Sequence, residues 1–214
     1  MNEQLVPLFP TLVYSEIIPE EYIQLTPELE KHSNIERKIN LLEEDYGRVS
    51  NNTHLLHLPE FKEFKLYVEK LINKYVWDVL CYDYKENQIT QSWISIKYPN
   101  QSHTSHFHPN SVVSGIFFWE KMDPNHPGVT FSKHESSNNV HVLNIEKRKD
   151  IPDPFVINYH PDPGSIILFP SYLHHNVDLN STSTPRKSLA FNSVPKNILG
   201  EEGSLTELKV FNYD

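Results

Sequence analysis

Cysteine is nearly absent: the 214 residues contain one, Cys81. A lone thiol excludes an internal disulfide framework and any cysteine-rich zinc module. Glycine is also scarce, 6 residues against 16 prolines, so turns must rely on proline, asparagine and aspartate. No apolar run is long enough to span a bilayer. The opening Met1-Asn2-Glu3-Gln4 lacks the basic and apolar regions of a secretory signal. Positive charge is in deficit, with 19 Lys+Arg against 28 Asp+Glu and a net charge of −9, which argues against nucleic acid or an anionic membrane as the main partner. These absences fit a reducing, cytoplasmic setting.

Histidine is in surplus, with 12 residues. If a metal is held, its ligands are imidazoles and possible carboxylates rather than thiolates. The length suits one domain, read as an N-terminal strand with helical support over 1–86 and a β core over 87–214. The segment 5–14 is β-branched, aromatic and marked by proline. It reads as an edge strand that could pair in a homodimer. From Glu60 to about Leu80, Phe61, Phe64, Val68, Leu71, Ile72, Tyr75, Val76 and Val79 recur at three- and four-residue steps, the pattern of an amphipathic helix. Lys62, Glu63, Lys65, Glu69, Lys70 and Lys74 fall on its water-facing side.

After residue 87 the period changes to two. In Gln88–Tyr98, Ile89, Gln91, Trp93, Ser95 and Lys97 share one face. Further strands are predicted at Val112–Trp119, Val129–Lys133, Val140–Asn144, Phe155–Tyr159, Ser165–Phe169, Asn176–Leu179 and Lys187–Val194, with one more within Leu205–Phe211. Proline-rich turns separate several of them. Many short strands after one helical section indicate a β sandwich or barrel with helices outside.

His106 and His108 stand two apart, so on an extended chain both imidazoles point to one side and Phe107 points the other way, into a core layer. His103 lacks a partner two residues on. A third ligand must come from a distant strand, and His175 fits, with His174 on the opposite face. Two histidines at this spacing are by themselves weak, since most such pairs are surface or core residues. Arg186 and Ser188 share one face of a strand starting 11 residues after His175, an arrangement suited to a carboxylate. His32, His54, His57, His126 and His134 read as ordinary loop or surface residues.

These residues resemble the iron(II)- and 2-oxoglutarate-dependent oxygenases, and more narrowly a bacterial and phage subgroup with a His-x-His-Pro-x-Ser motif. The resemblance runs from Trp93 to Asn192. It is carried by His106-Phe107-His108-Pro109-Asn110-Ser111-Val112-Val113-Ser114-Gly115, by Gly164-Ser165-Ile166-Ile167-Leu168-Phe169-Pro170-Ser171, and by Arg186-Lys187-Ser188. It implies a double-stranded β-helix (jelly roll) with flanking N-terminal α-helices. It further implies a dioxygenase, using Fe(II), 2-oxoglutarate and dioxygen, that hydroxylates a peptide side chain or small metabolite and yields succinate and CO2. His106, His108 and His175 would bind the metal, and Arg186 with Ser188 would bind the far carboxylate of 2-oxoglutarate. Ser95, Lys97 and Asn110 could touch cosubstrate or substrate.

The general family uses two histidines and one carboxylate, and here the carboxylate position is His108. Three neutral imidazoles leave a ferrous site at +2 instead of +1, and they also suit zinc. Two other readings of the same residues stay open. One is a cupin-like three-histidine metal enzyme that does not use 2-oxoglutarate. The other is a non-enzymatic jelly-roll interaction protein.

Overall fold

The alternation in 88–98 yields the longest strand of the protein, Asn87–Lys97. A computed structural model describes residues 10–33, 36–38, 47–84, 86–119, 123–132 and 156–212. Its strands are β1 (Tyr14–Ile17), β2 (Glu36–Lys38), β3 (Arg48–Ser50), β4 (Asn87–Lys97), β5 (His103–His106), β6 (Val113–Phe118), β7 (Val129–Ser132), β8 (Val156–Tyr159), β9 (Ser165–Pro170), β10 (His174–Val177), β11 (Arg186–Pro195), β12 (Asn197–Leu199) and β13 (Leu208–Val210). One sheet has the order β1-β9-β6-β11-β4-β3-β2, a second β5-β10-β7-β8, and β12 pairs with β13. The ladders are antiparallel.

From β4 to β11 the chain passes back and forth between the two larger sheets, which is the double-stranded β-helix. Ile116, Phe118, Val129, Phe131, Ile167, Phe169 and Leu173 form a core cluster contributed by both sheets. The predicted strand at 140–144 and residues 5–9 lie outside the described residues. The strand expected at Asn176–Leu179 begins earlier, at His174, so both adjacent histidines lie on β10.

The outer face of the large sheet is covered by the helical section. It comprises α1 (Glu20–Ile23), α2 (Thr26–Ser33) and α3 (Lys62–Lys74), the last preceded by a 3-10 turn at Pro59–Phe61 and followed by a π turn at Tyr75–Val79. Phe64, Val68, Leu71 and Ile72 of α3 are buried with Ile89, Ile94, Phe117, Leu189 and Phe191 of the sheet. Phe64 meets Phe117 with ring centroids 5.1 Å apart. No helix among the described residues is long and apolar enough to cross a membrane.

Two sequence expectations fail here for one reason. The β4–β11 register slips between Asn192 and Ser193, which pair with Gln91 and Ile89, so Thr90 is an extra residue. This β-bulge reverses the alternation. Ile89 therefore leaves the face of Gln91 and Trp93 and enters the helix-covered core at 0% exposure. Its backbone N–H donates to Glu69 Oε1 at 3.1 Å. Glu69, expected in water, is buried for that purpose.

Replacing Phe64 with alanine should cost about 3–5 kcal/mol of stability through loss of burial and the cavity left behind. Urea denaturation measures it. A cost below about 1 kcal/mol would contradict the packing described.

Candidate metal centre

β10 brings the distal histidine to the first pair. His175 lies directly opposite His106 in the β5–β10 ladder. His108 follows the end of β5, and its backbone N–H donates to Ser171 O at 2.9 Å, tying the turn to the residue just after β9. The ligand atoms of His106, His108 and His175 all lie within 4.8 Å of one another. His108 Nε2 and His175 Nε2 are 3.2 Å apart, close to the roughly 3 Å expected of two imidazole nitrogens about 2.1 Å from one ion at right angles.

Two of the three rings are held in the orientation a metal requires. His106 Nδ1 donates to Thr104 O at 2.8 Å and His175 Nδ1 to Leu173 O at 3.0 Å. Each bond spends the Nδ1 proton on a backbone carbonyl and turns an unprotonated Nε2 toward the cluster. Burial, then the charge of His106, pushes His175 down to about 3. Burial and the same neighbour push His108 down to about 4, although the residue as a whole is only half-buried. The cluster is therefore neutral imidazole near neutral pH, the form that binds metal.

The motif serines form the frame around the ligands. Ser114 Oγ lies 2.8 Å from Ser171 Oγ and donates to Asn192 Oδ1 at 2.9 Å, while Ser171 Oγ donates to Ser111 Oγ at 2.8 Å. Ser111 Oγ in turn reaches Ser193 O at 3.0 Å. Thus β6, the end of β9 and β11 are locked together beside the turn that carries His108.

A pocket runs inward from the histidines past Trp93, Phe169 and Ser95 to Arg186 and Ser188. Arg186 is 1% exposed, and its Nε donates to Pro127 O at 2.9 Å. Its Nη1 reaches Ser188 Oγ at 3.5 Å, and its Nη2 has no partner. The guanidinium lies 5.5 Å from the Phe118 ring centroid, and burial lowers its pKa to about 10. A buried donor without an acceptor is costly unless something fills the place. A carboxylate fits it. Beyond His108 and Trp93, a wider groove of about 690 Å³ is lined by Gln91, Pro109, Asn110, Asn192, Val194 and Phe211, among others.

The structure also corrects the reading of several residues. His103, set aside in the sequence for want of a partner two residues on, lines the pocket with its ring 4.1 Å from that of His106. The β5–β10 ladder pairs His106 with His175 but His103 with Val177, a register shift that turns positions three apart to the same side. Phe107 does not enter a core layer. It is 49% exposed and packs 5.1 Å from His174, which does lie away from the cluster. His126, read as a surface residue, is buried, with Nε2 3.1 Å from Thr184 Oγ1 just before β11.

Residues 91–192 match the sequence model of the family described as "Putative 2OG-Fe(II) oxygenase". The fold is similar to that of a prolyl-4-hydroxylase from Pseudomonas putida, at 13% identity over 85% of this chain and 92% of that one, with a TM-score of 0.58. It is also similar to SnoK, a non-heme alpha-ketoglutarate-dependent carbocyclase from nogalamycin biosynthesis (10% identity, 87% and 81% covered, TM-score 0.62). A third likeness is HygX from Streptomyces hygroscopicus, crystallised with nickel, 2-oxoglutarate and hygromycin B (12% identity, 86% and 83% covered, TM-score 0.56). No curated protein sequence matches the chain. The match covers just under half of the chain, and with the fold it makes the protein similar to the Fe(II)/2-oxoglutarate-dependent oxygenases. Such enzymes are oxidoreductases that use Fe(II), 2-oxoglutarate and dioxygen, and the three-histidine group of this chain fits iron.

The depressed histidine pKa values give the metal-free protein a pH signature. Unfolding restores these rings to about 6.5, so below that pH the unfolded chain takes up protons that the folded one refuses. Stability should therefore fall as pH drops from about 6.5 toward 4. Urea denaturation across that window should show a weaker pH dependence in His175→Asn than in the wild type. Equal slopes would contradict the neutral, desolvated cluster.

Proposed function

We propose that His106, His108 and His175 hold the iron of this oxygenase and that Arg186 with Ser188 holds the distal carboxylate of 2-oxoglutarate. The observation that carries the reading is the convergence of three imidazole ligand atoms within 4.8 Å at one end of a pocket that also contains Arg186. When bound, iron and 2-oxoglutarate supply the oxidising chemistry, coupling dioxygen reduction and decarboxylation to succinate and CO2 with oxidation of the substrate.

The chain's own residues do the positioning. The carbonyls of Thr104 and Leu173 fix two rings. Arg186, anchored through Nε to Pro127 O, presents its free Nη2 as a directional donor. Trp93 and Phe169 wall the pocket and limit water near the metal. Three neutral imidazoles leave a ferrous site at +2, and dianionic 2-oxoglutarate neutralises that charge. The jelly-roll core within 87–214 carries this chemistry, and the segment 1–86 adds β1, β2, β3 and the helical cover to the large sheet.

The substrate enters by the groove beside His108 and Trp93. Its amides, Gln91, Asn110 and Asn192, can donate and accept, and Phe211 and Val194 add apolar contact. This lining suits a peptide side chain or small polar metabolite approaching the metal for hydroxylation.

The purified protein should convert 2-oxoglutarate to succinate only with Fe(II) and dioxygen. His175→Ala should lose the metal. Arg186→Ala should keep it but weaken 2-oxoglutarate binding by roughly two orders of magnitude. Unchanged cosubstrate binding in Arg186→Ala, or retained metal in His175→Ala, would contradict these assignments.

A further inference from the structure

The barrel buries a second cation beside the first. Lys97 is 0% exposed and stands directly opposite Arg186 in the β4–β11 ladder. Ser95 faces Ser188 two residues further along each strand. Cross-strand partners and neighbours two apart project from one face, so two cations and two hydroxyls form a single inward patch. Lys97 Nζ donates to Ser95 Oγ at 3.0 Å, and Ser95 lines the same pocket as Arg186 and Ser188. Among the described residues, no carboxylate forms an ion pair with Lys97 or Arg186.

The backbone is shaped to enclose this lysine. Gly47 has φ +79°, and a Cβ there would lie 2.5 Å from Lys97 Cδ and 2.8 Å from Nζ. Glycine lets the segment entering β3 lie directly on the side chain. Like charges opposed across a strand pair are destabilising, and burial adds to the cost. Burial first, and Arg186 second, bring Lys97 down to about 7. Among the described residues no carboxylate offsets this cost, and an anionic ligand would complete the site.

We propose that Lys97 is a second cation of the cosubstrate pocket, placed to read the distal carboxylate of 2-oxoglutarate together with Arg186, Ser95 and Ser188. The inference rests on the assignment of Arg186 to that carboxylate. It makes the site selective for 2-oxo acids with a charged tail over those with an uncharged one. Lys97 is thereby a specificity residue and not a support for the sheet.

The test compares wild type, Lys97→Met and Lys97→Gln, full-length and loaded with Mn(II). It uses calorimetric titration of 2-oxoglutarate and of 2-oxopentanoate, which lacks the distal carboxylate, together with thermal unfolding of each metal-free protein. Both variants should bind 2-oxoglutarate roughly 10- to 100-fold more weakly. Binding of 2-oxopentanoate and of Mn(II) should not change. Metal-free Lys97→Met should melt higher than wild type, because an unpaired buried charge is gone. A sheet-supporting lysine gives the opposite pattern, a lower melting temperature with selectivity intact, and that result overturns the proposal. Equal loss for both 2-oxo acids also overturns it. Failure of the wild type to bind 2-oxoglutarate in the presence of Mn(II) would instead overturn the cosubstrate assignment, and this inference with it.

Discussion

His106 and His175 face each other across the β5–β10 pair, and the arrangement of the site follows from that register. A one-residue slip would send one imidazole to the other face. The register is fixed from outside the pair. Ser171, the residue after β9, accepts the N–H of His108 on its carbonyl and shares its hydroxyl with Ser111 and Ser114. The turn carrying His108 and the turn leading to His175 are thus fastened at one residue. The motif serines hold the histidine cluster in place without joining it.

The electrostatics of the interior are one-sided. Neutral imidazoles, Ser95, Ser188 and the buried Arg186 line one pocket, and Lys97, opposite Arg186 in the ladder, donates to Ser95 beside it. Among the described residues, no carboxylate joins the histidine group. Such a cavity is poorly satisfied by the chain alone and well satisfied by a divalent cation together with a dianion. Ligands that bind only the folded state stabilise it by mass action. The proposed metal and cosubstrate sites are therefore also sites of stored instability in the metal-free protein.

Much of this was legible in the sequence because regular strands encode faces with period two. The alternation in 88–98 marked β4, and Arg186 with Ser188 fell on one face as expected. The jelly-roll core and the grouping of His106, His108 and His175 were legible as well. What escaped lies mostly where the period breaks. The bulge at Thr90 moved Ile89 to the helix side and drew Glu69 inward to meet its N–H. The irregularity in β5 brought His103 to the pocket with His106. Phe107 faces solvent because His108 sits in a turn beyond the strand end. Extra residues that reverse a face leave no mark in composition, and a buried acid on an otherwise polar helix face looks like its exposed neighbours.

The central claim is that three imidazoles and no carboxylate bind the metal, with the cosubstrate's far end on Arg186. An anaerobic crystal structure with Fe(II) and 2-oxoglutarate tests it most directly. It should show one ion coordinated by Nε2 of His106, His108 and His175, and the distal carboxylate against Arg186. A metal bound elsewhere or held by a protein carboxylate would contradict the account, as would 2-oxoglutarate lying away from Arg186.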